Sequence, residues 1–360
     1  MEVFMIATDQ WKECFLQTPA FDKTKSYKIL EQLAFSAFDL TNDSVDFTAR
    51  IRKYKTKACG WKYMYAFERV DDNILAALFQ LAKERQVMEQ MKAMQDGFPV
   101  NFIEGFDSEQ RAVLHTAQRD IFGPKSPIPA VAKAQAQAIK ENEKLQSFLK
   151  AIDGKFDDMI FVGIGGSELG PRALFQSLAF YANPDRRVHF IGNVDPDDVA
   201  IVLKKVKLPR ALVVVISKSG TTLETQTNEE FLRDAFQKNG LNSNEHFVSV
   251  TMPKTPMDDK SRYLECFYLE DYVGGRYSAT SMVGGVLLGF SCGYDVFREI
   301  LKGAHEMDLV ARSDDMANNP PLLCALIGVW NRNFLKFPTC AVIPYSRVLA
   351  RFPAHLQQNR

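Results

Sequence analysis

At 360 residues, with 46% hydrophobic and 24% charged side chains, the chain has the composition of a soluble globular protein large enough for two domains. Lys plus Arg and Asp plus Glu both number 44, so no global field recruits nucleic acid or an anionic membrane, and neither is expected as a partner. The cysteines (Cys14, Cys59, Cys266, Cys292, Cys324, Cys340) show no C-x-x-C spacing and read as reduced thiols. The acidic N-terminal stretch is unlike a signal peptide, and no apolar run approaches the ~20 residues of a membrane span. A cytoplasmic location is expected.

Residues 1–125 read as mostly helical, with a clear 3.6-residue stripe at Ile74, Leu75, Leu78, Phe79 and Leu81. The Arg111–Arg119 segment predicts a further helical run ending near Gly123-Pro124. Ala130–Lys150, rich in alanine and lysine, predicts a helix by propensity. From Asp157 the texture changes. Strand-like runs at Met159–Gly163, Val188–Gly192, Ala211–Ser217, Phe247–Met252 and Cys266–Leu269 alternate with helix-sized segments, which predicts parallel βαβ units and the α/β class. Helices are then expected at Tyr294–Ala311 and from Pro320-Pro321 to Phe334, followed by a last strand at Thr339–Pro344. The expected organisation is a helical region over 1–125, an α/β domain over 126–285, connecting helices over 286–336, and over 337–360 the opening of a second α/β domain.

Two strand-to-helix turns attract attention. Phe161–Leu169 breaks from apolar residues into Gly163, Gly165, Gly166 and Ser167, then restarts with helical periodicity. It is not a dinucleotide fingerprint, because Glu168 stands where G-x-G-x-x-G needs glycine, and no P-loop occurs. Ser217-Lys218-Ser219-Gly220-Thr221-Thr222 offers four hydroxyls, more than capping a helix needs. One of Ser219 or Thr221 is expected as the cap, with Thr221-x-x-Glu224 a capping box. First-turn N–H groups beside such hydroxyls can hold a phosphate monoester. The bland alternative is a tight strand-to-helix turn with no ligand for the first and a capped surface helix for the second. Gly274-Gly275-Arg276 sets a permanent cation on a glycine pair, suited to a developing oxyanion or simply paired with Glu270 or Asp271. Glu168 and Glu224 read as first-turn acids rather than bases. The histidines show no metal-ligand spacing and read as structural, with His189 and His246 in strands.

These segments resemble one family. Val162–Pro171, Ser217–Thr225, Asp271–Ser281 and Arg351–Gln358, with Arg111–His115 upstream, are similar in content and order to the glucose-6-phosphate isomerase (phosphoglucose isomerase) family. The resemblance implies a sugar isomerase (SIS) α/β fold, a parallel sheet flanked by helices, with two such domains and a homodimer in the full-length family. It implies reversible interconversion of glucose 6-phosphate and fructose 6-phosphate in glycolysis and gluconeogenesis, with no metal or other cofactor. By the same resemblance Ser217, Ser219 and Thr222 hold the phosphate with Lys218 adjacent, Gly166 and Ser167 line the pocket, Arg276 stabilises a cis-enediolate, and Gln358 lies by the substrate. The chemistry also needs a carboxylate to move the proton between C1 and C2.

The sequence departs from the family after Leu356-Gln357-Gln358. The family's base glutamate lies in a Met-Glu-Ser-x-Gly-Lys segment that would follow, and its ring-opening histidine lies further on; here only Asn359-Arg360 follow. The expectation is therefore the N-terminal two thirds of such an enzyme, binding hexose phosphate weakly and turning over little. A non-catalytic sugar-phosphate-binding SIS module, or an amino-sugar or other aldose–ketose isomerase on the same fold, are the rival expectations.

Overall fold

A computed structural model describes residues 18–101, 105–106 and 108–359; the acidic N-terminal stretch with Cys14, and Arg360, lie outside them. The chain divides into two units, Met1–Ala112 with Gly303–Ala341, and Val113–Lys302 with Val342–Arg360. Among the described residues no helix is long and apolar enough to cross a membrane. The five described cysteines are free thiols, of which only Cys266 is buried.

The first unit is helical around one hairpin. Ile74, Leu75, Leu78 and Leu81 bury one face of the Asp72–Glu84 helix against Leu30, Leu323 and Trp330. That is the stripe the periodicity predicts. The buried Arg50 guanidinium donates to three carbonyls, of Ala66 (2.9 Å), Glu68 (3.1 Å) and Val70 (3.0 Å), and so fastens that loop. The antiparallel pair β1 (Lys55–Ala58) and β2 (Trp61–Met64) lies within a region read as helical. Its two-residue turn, Cys59-Gly60, has positive φ at both positions (48° and 77°), which matches the right-handed twist of a hairpin.

The second unit carries the expected α/β layer. Strands β3 (Asp158–Val162), β4 (Arg187–Ile191), β5 (Ala211–Ile216), β6 (Phe247–Thr251) and β7 (Glu265–Tyr268) form one sheet in the order β4-β3-β5-β6-β7, every pairing parallel. A parallel sheet is covered on both faces, so its strands are apolar throughout and their alternate residues supply two cores. Met159, Phe161, Leu212 and Val214 pack with Leu145, Val286 and Leu287. Ile160, Val162, Val213 and Val215 pack with Leu232 and Phe236.

Three expectations of secondary structure fail. Thr339–Pro344 forms no strand; Val342 and Ile343 stand 39% and 71% exposed, and strand-prone residues do not make a strand without an edge to pair with. In Arg111–Arg119 only Ala117–Arg119 is helical, and of a tight 3-10 kind, because the Leu114 N–H goes to the Tyr272 carbonyl (3.2 Å). His246 precedes β6 rather than lying in it.

Candidate functional site

Strand order locates the site. The chain runs from β3 outward to β4, then returns across β3 to begin β5 on its other side. The loops leaving β3 and β5 therefore diverge at the carboxyl edge of the sheet, and open α/β sheets bind ligands at such a switch point. Those two loops are the 163–168 and 217–222 turns.

The first turn is shaped by close approach. Gly165 has φ 58°, and hydrogen bonds from the Ser167 N–H to Ile164 (3.1 Å) and the Glu168 N–H to Gly165 (3.0 Å) close one 3-10 turn. A Cβ on Gly166 would lie 2.4 Å from the Gly275 carbonyl carbon and 2.7 Å from the Arg276 nitrogen. Only glycine admits the second segment so near. Ser278 Oγ donates to the Gly166 carbonyl at 3.3 Å and secures the contact. Arg276 is thereby set beside Gly166 and Ser167. Its side chain is exposed and makes no ion pair or hydrogen bond among the described residues. Of the two acids considered as its partner, Glu270 and Asp271, the second is engaged elsewhere: Lys218 Nζ lies 3.1 Å from Asp271 Oδ1 and donates to the Asp271 carbonyl at 2.6 Å. That bond ties the second turn to the loop leading into Arg276.

Gln358 arrives on the Phe352–Asn359 helix. Its Nε2 is 3.1 Å from where a Gly165 Cβ would stand, and its buried Oε1 has no hydrogen-bond partner among the described residues. Gly166, Ser167, Arg276 and Gln358 thus come together from three separated stretches of chain.

The second turn is an open helix end. Gly220, at φ 68°, packs under Thr255 and swings Thr221 outward. The buried Ser217 Oγ and Thr222 Oγ1 share a 2.8 Å hydrogen bond. Two hydroxyls bonded to each other spend one hydrogen and keep the other for an anion. The predicted capping box does not form. Thr221 Oγ1 donates to Ser219 Oγ (2.9 Å), while the N-cap of the Leu223–Lys238 helix is Thr222, which makes no side-chain capping bond. First-turn N–H groups left uncapped carry the helix's positive end. Ser219 is exposed at the rim.

Glu168 is buried at the start of the Leu169–Ser177 helix and held by Arg172 (Nη1 to Oε1, 2.7 Å), whose guanidinium lies over the Phe190 ring. Glu224 is an exposed first-turn acid, as expected. His189 lies in β4 and bonds Asp158 (3.0 Å), while His115 stacks on Tyr277 with ring centroids 4.7 Å apart. Sequence reasoning missed the Lys218–Asp271 tie and a role for His355, whose ring lies against Gly170. Both contacts join residues far apart in sequence, and no local pattern marks them.

The profile of the family described as Phosphoglucose isomerase matches residues 64–360. The chain is 50% identical over 334 residues to a protein named Glucose-6-phosphate isomerase from Protochlamydia amoebophila, covering 92% of this chain and 62% of that protein. It is 48% identical over 343 residues to one of the same name from Chlamydia pneumoniae, covering 95% and 65%. The crystal structure of a glucose-6-phosphate isomerase from Chlamydia trachomatis superimposes with a TM-score of 0.92 at 48% identity, over 94% of this chain and 66% of that one. The chain thus spans 62–65% of the length of these two curated relatives.

Proposed function

Because the chain belongs to the phosphoglucose isomerase family, we propose that it carries the phosphate-holding and enediolate-stabilising parts of an enzyme that interconverts glucose 6-phosphate and fructose 6-phosphate. The observation that carries this is the approach of Gly166 to Gly275, which sets Arg276, unpaired among the described residues, beside the Gly166–Ser167 turn at the switch point of the sheet. In this proposal the phosphate dianion sits on the open N-terminus of the Leu223–Lys238 helix, taking hydrogen bonds from Ser217, Ser219 and Thr222 with the Lys218 charge alongside. The sugar then extends past Gly166 and Ser167 toward Arg276 and the Gln358 amide. Isomerisation moves a proton between C1 and C2 and develops negative charge on the enediolate oxygen. A guanidinium already in place lowers that barrier by about 3 kcal/mol.

The same proton needs a carboxylate within hydrogen-bond reach. Glu168 is committed to Arg172, and Glu224 points to solvent. The 360-residue chain by itself is therefore proposed to bind hexose phosphate and turn it over little. A cytoplasmic location, expected from the sequence, and the homodimer that the resemblance implies for the full-length enzyme belong to the same proposal. The test is glucose 6-phosphate formed from fructose 6-phosphate by this chain alone, alongside its affinity for the substrate. Binding with a rate far under the ~10 s⁻¹ of a typical enzyme is expected. A rate at that level would place a base within residues 1–360, and no binding at all would sink the assignment of the two turns.

A further inference from the structure

The three segments of the proposed site meet at one side chain to which the chemistry above gives no role. Gly170 is buried in the first turn of the Leu169–Ser177 helix, three residues beyond Ser167. A Cβ there would lie 2.9 Å from His355 Cε1, 3.2 Å from His355 Nδ1 and 3.1 Å from Ala279 Cβ. Ala279 is buried in the Gly275–Thr280 turn, three residues beyond Arg276. His355 stands three residues before Gln358 on the Phe352–Asn359 helix, and residues at that spacing share a helix face. The notch over Gly170 is thus filled by the imidazole and closed by the segment that carries Arg276. The next turn of the same helix face sets Gln358 Nε2 against Gly165.

We infer that His355 is a positioning residue, the wedge that fixes Gln358 and Arg276 against the Gly166–Ser167 turn. The inference rests on the sugar-phosphate assignment of the preceding subsection. Its geometry is that of a keystone. The ring lies against the helix that follows the first turn, in the same notch that Ala279, from the turn that follows Arg276, closes, so its removal opens that notch beside both neighbours of the sugar while leaving the 217–222 turn, on another strand, in place. His355 Nε2 faces Asn359 Nδ2 at 3.2 Å, which orients the ring from its own helix. Burial lowers the affinity of the imidazole for a proton and so favours its neutral form.

The two ends of the ligand separate this role from a merely structural one. The 360-residue chain is titrated calorimetrically with fructose 6-phosphate and, separately, with inorganic phosphate, in wild type, His355→Ala, His355→Phe and Gly170→Ala. His355→Ala is expected to weaken fructose 6-phosphate about tenfold, as expected for losing the alignment of a charged hydrogen-bonding group, with inorganic phosphate held within about twofold. His355→Phe, a planar ring of similar size, restores most of the loss. Gly170→Ala expels the ring from the other side and repeats it, and adding His355→Ala to Gly170→Ala costs less than the product of the two. Equal weakening of both ligands, or none, overturns the role of His355. A wild-type chain that binds inorganic phosphate but not fructose 6-phosphate instead overturns the sugar-phosphate assignment, and this inference with it.

Discussion

The two edges of the parallel sheet in the second unit are built from the same strands and use their charges in opposite ways. At the amino edge Arg210, Asp157, Asp158, Arg187, Lys144 and Glu265 spend their charges on one another. Arg210 Nε meets Asp157 at 2.9 Å, the inaccessible Asp158 takes two 2.8 Å bonds from Arg187 and one from His189, and Lys144 lies 3.2 Å from Glu265. At the carboxyl edge the Arg276 guanidinium is unpaired among the described residues, a helix N-terminus is uncapped, and hydroxyls outnumber what capping requires. A cleft of about 680 Å³ does open beside the amino edge, lined by Lys144, Phe148, Lys155, Glu245, His246 and Glu265. Its size does not make it the better candidate, because two of its lining charges, Lys144 and Glu265, already neutralise one another. Available polarity at a switch point, more than empty volume, favours the carboxyl edge as the proposed ligand site.

Substitutions at the two edges should therefore separate stability from binding. The largest effect on stability is expected from Asp158→Ala, which leaves Arg187 and His189 without their shared acceptor. Removing one partner of such a network costs about 3 kcal/mol, here toward the low end because Arg187 is half exposed and can rehydrate. Urea unfolding should show that loss, while the folded variant binds fructose 6-phosphate as the parent does. Next is Gly166→Ala, whose methyl would collide with the Gly275 backbone. About 2 kcal/mol of overpacking is expected, and unlike the first variant this one should also lose hexose-phosphate affinity. Ser217→Ala combined with Thr222→Ala should do the converse. Losing a hydroxyl that donates to a dianion costs about 1.5–3 kcal/mol, or tenfold and more in affinity, with the unfolding midpoint scarcely moved; unchanged affinity in calorimetry would refute the phosphate role of that turn.

The edges also differ in their response to acid. Burial works to raise the Asp158 pKa, but the bonds from Arg187 and His189 outweigh it and hold the carboxyl below its ordinary 3.8. A carboxyl depressed on folding adds stability that is complete above 3.8 and is lost as the pH falls through its folded value. The amino edge should accordingly fail only in strong acid. His355 at the other edge is lowered from 6.5 by burial, so the unfolded chain binds that proton more readily. Its contribution is complete above 6.5 and declines as the pH falls below it. Hydrogen exchange should show the Phe352–Asn359 helix loosening in mild acid first, a smaller effect that His355→Phe removes.

Much of the carboxyl edge was legible because its signals are local. Apolar runs, three of them ending at glycine or serine, placed each of the five strands to within one residue of its observed ends, and the Gly163–Ser167 and Ser217–Thr222 turns fell where β3 and β5 stop. What escaped depends on contacts between distant stretches. Nothing around Gly170 announces that His355 will occupy its notch, and nothing at Lys218 announces Asp271. Thr339–Pro344 misled in the other direction, since its composition suits a strand and no strand lies beside it among the described residues. The Cys59-Gly60 hairpin did carry a signal, a two-residue turn ending in glycine, which helical expectations for its surroundings overrode.

The claim that ligand chemistry resides at the carboxyl edge is tested most directly by titrating the ¹⁵N-labelled chain with glucose 6-phosphate and following its amide resonances. Shifts should concentrate in residues 163–168, 217–224, 274–278 and 355–359, with the amides of Asp158, Arg187 and Glu265 unmoved. Shifts centred instead on the Lys144–Glu265 cleft, with the two turns silent, would contradict it.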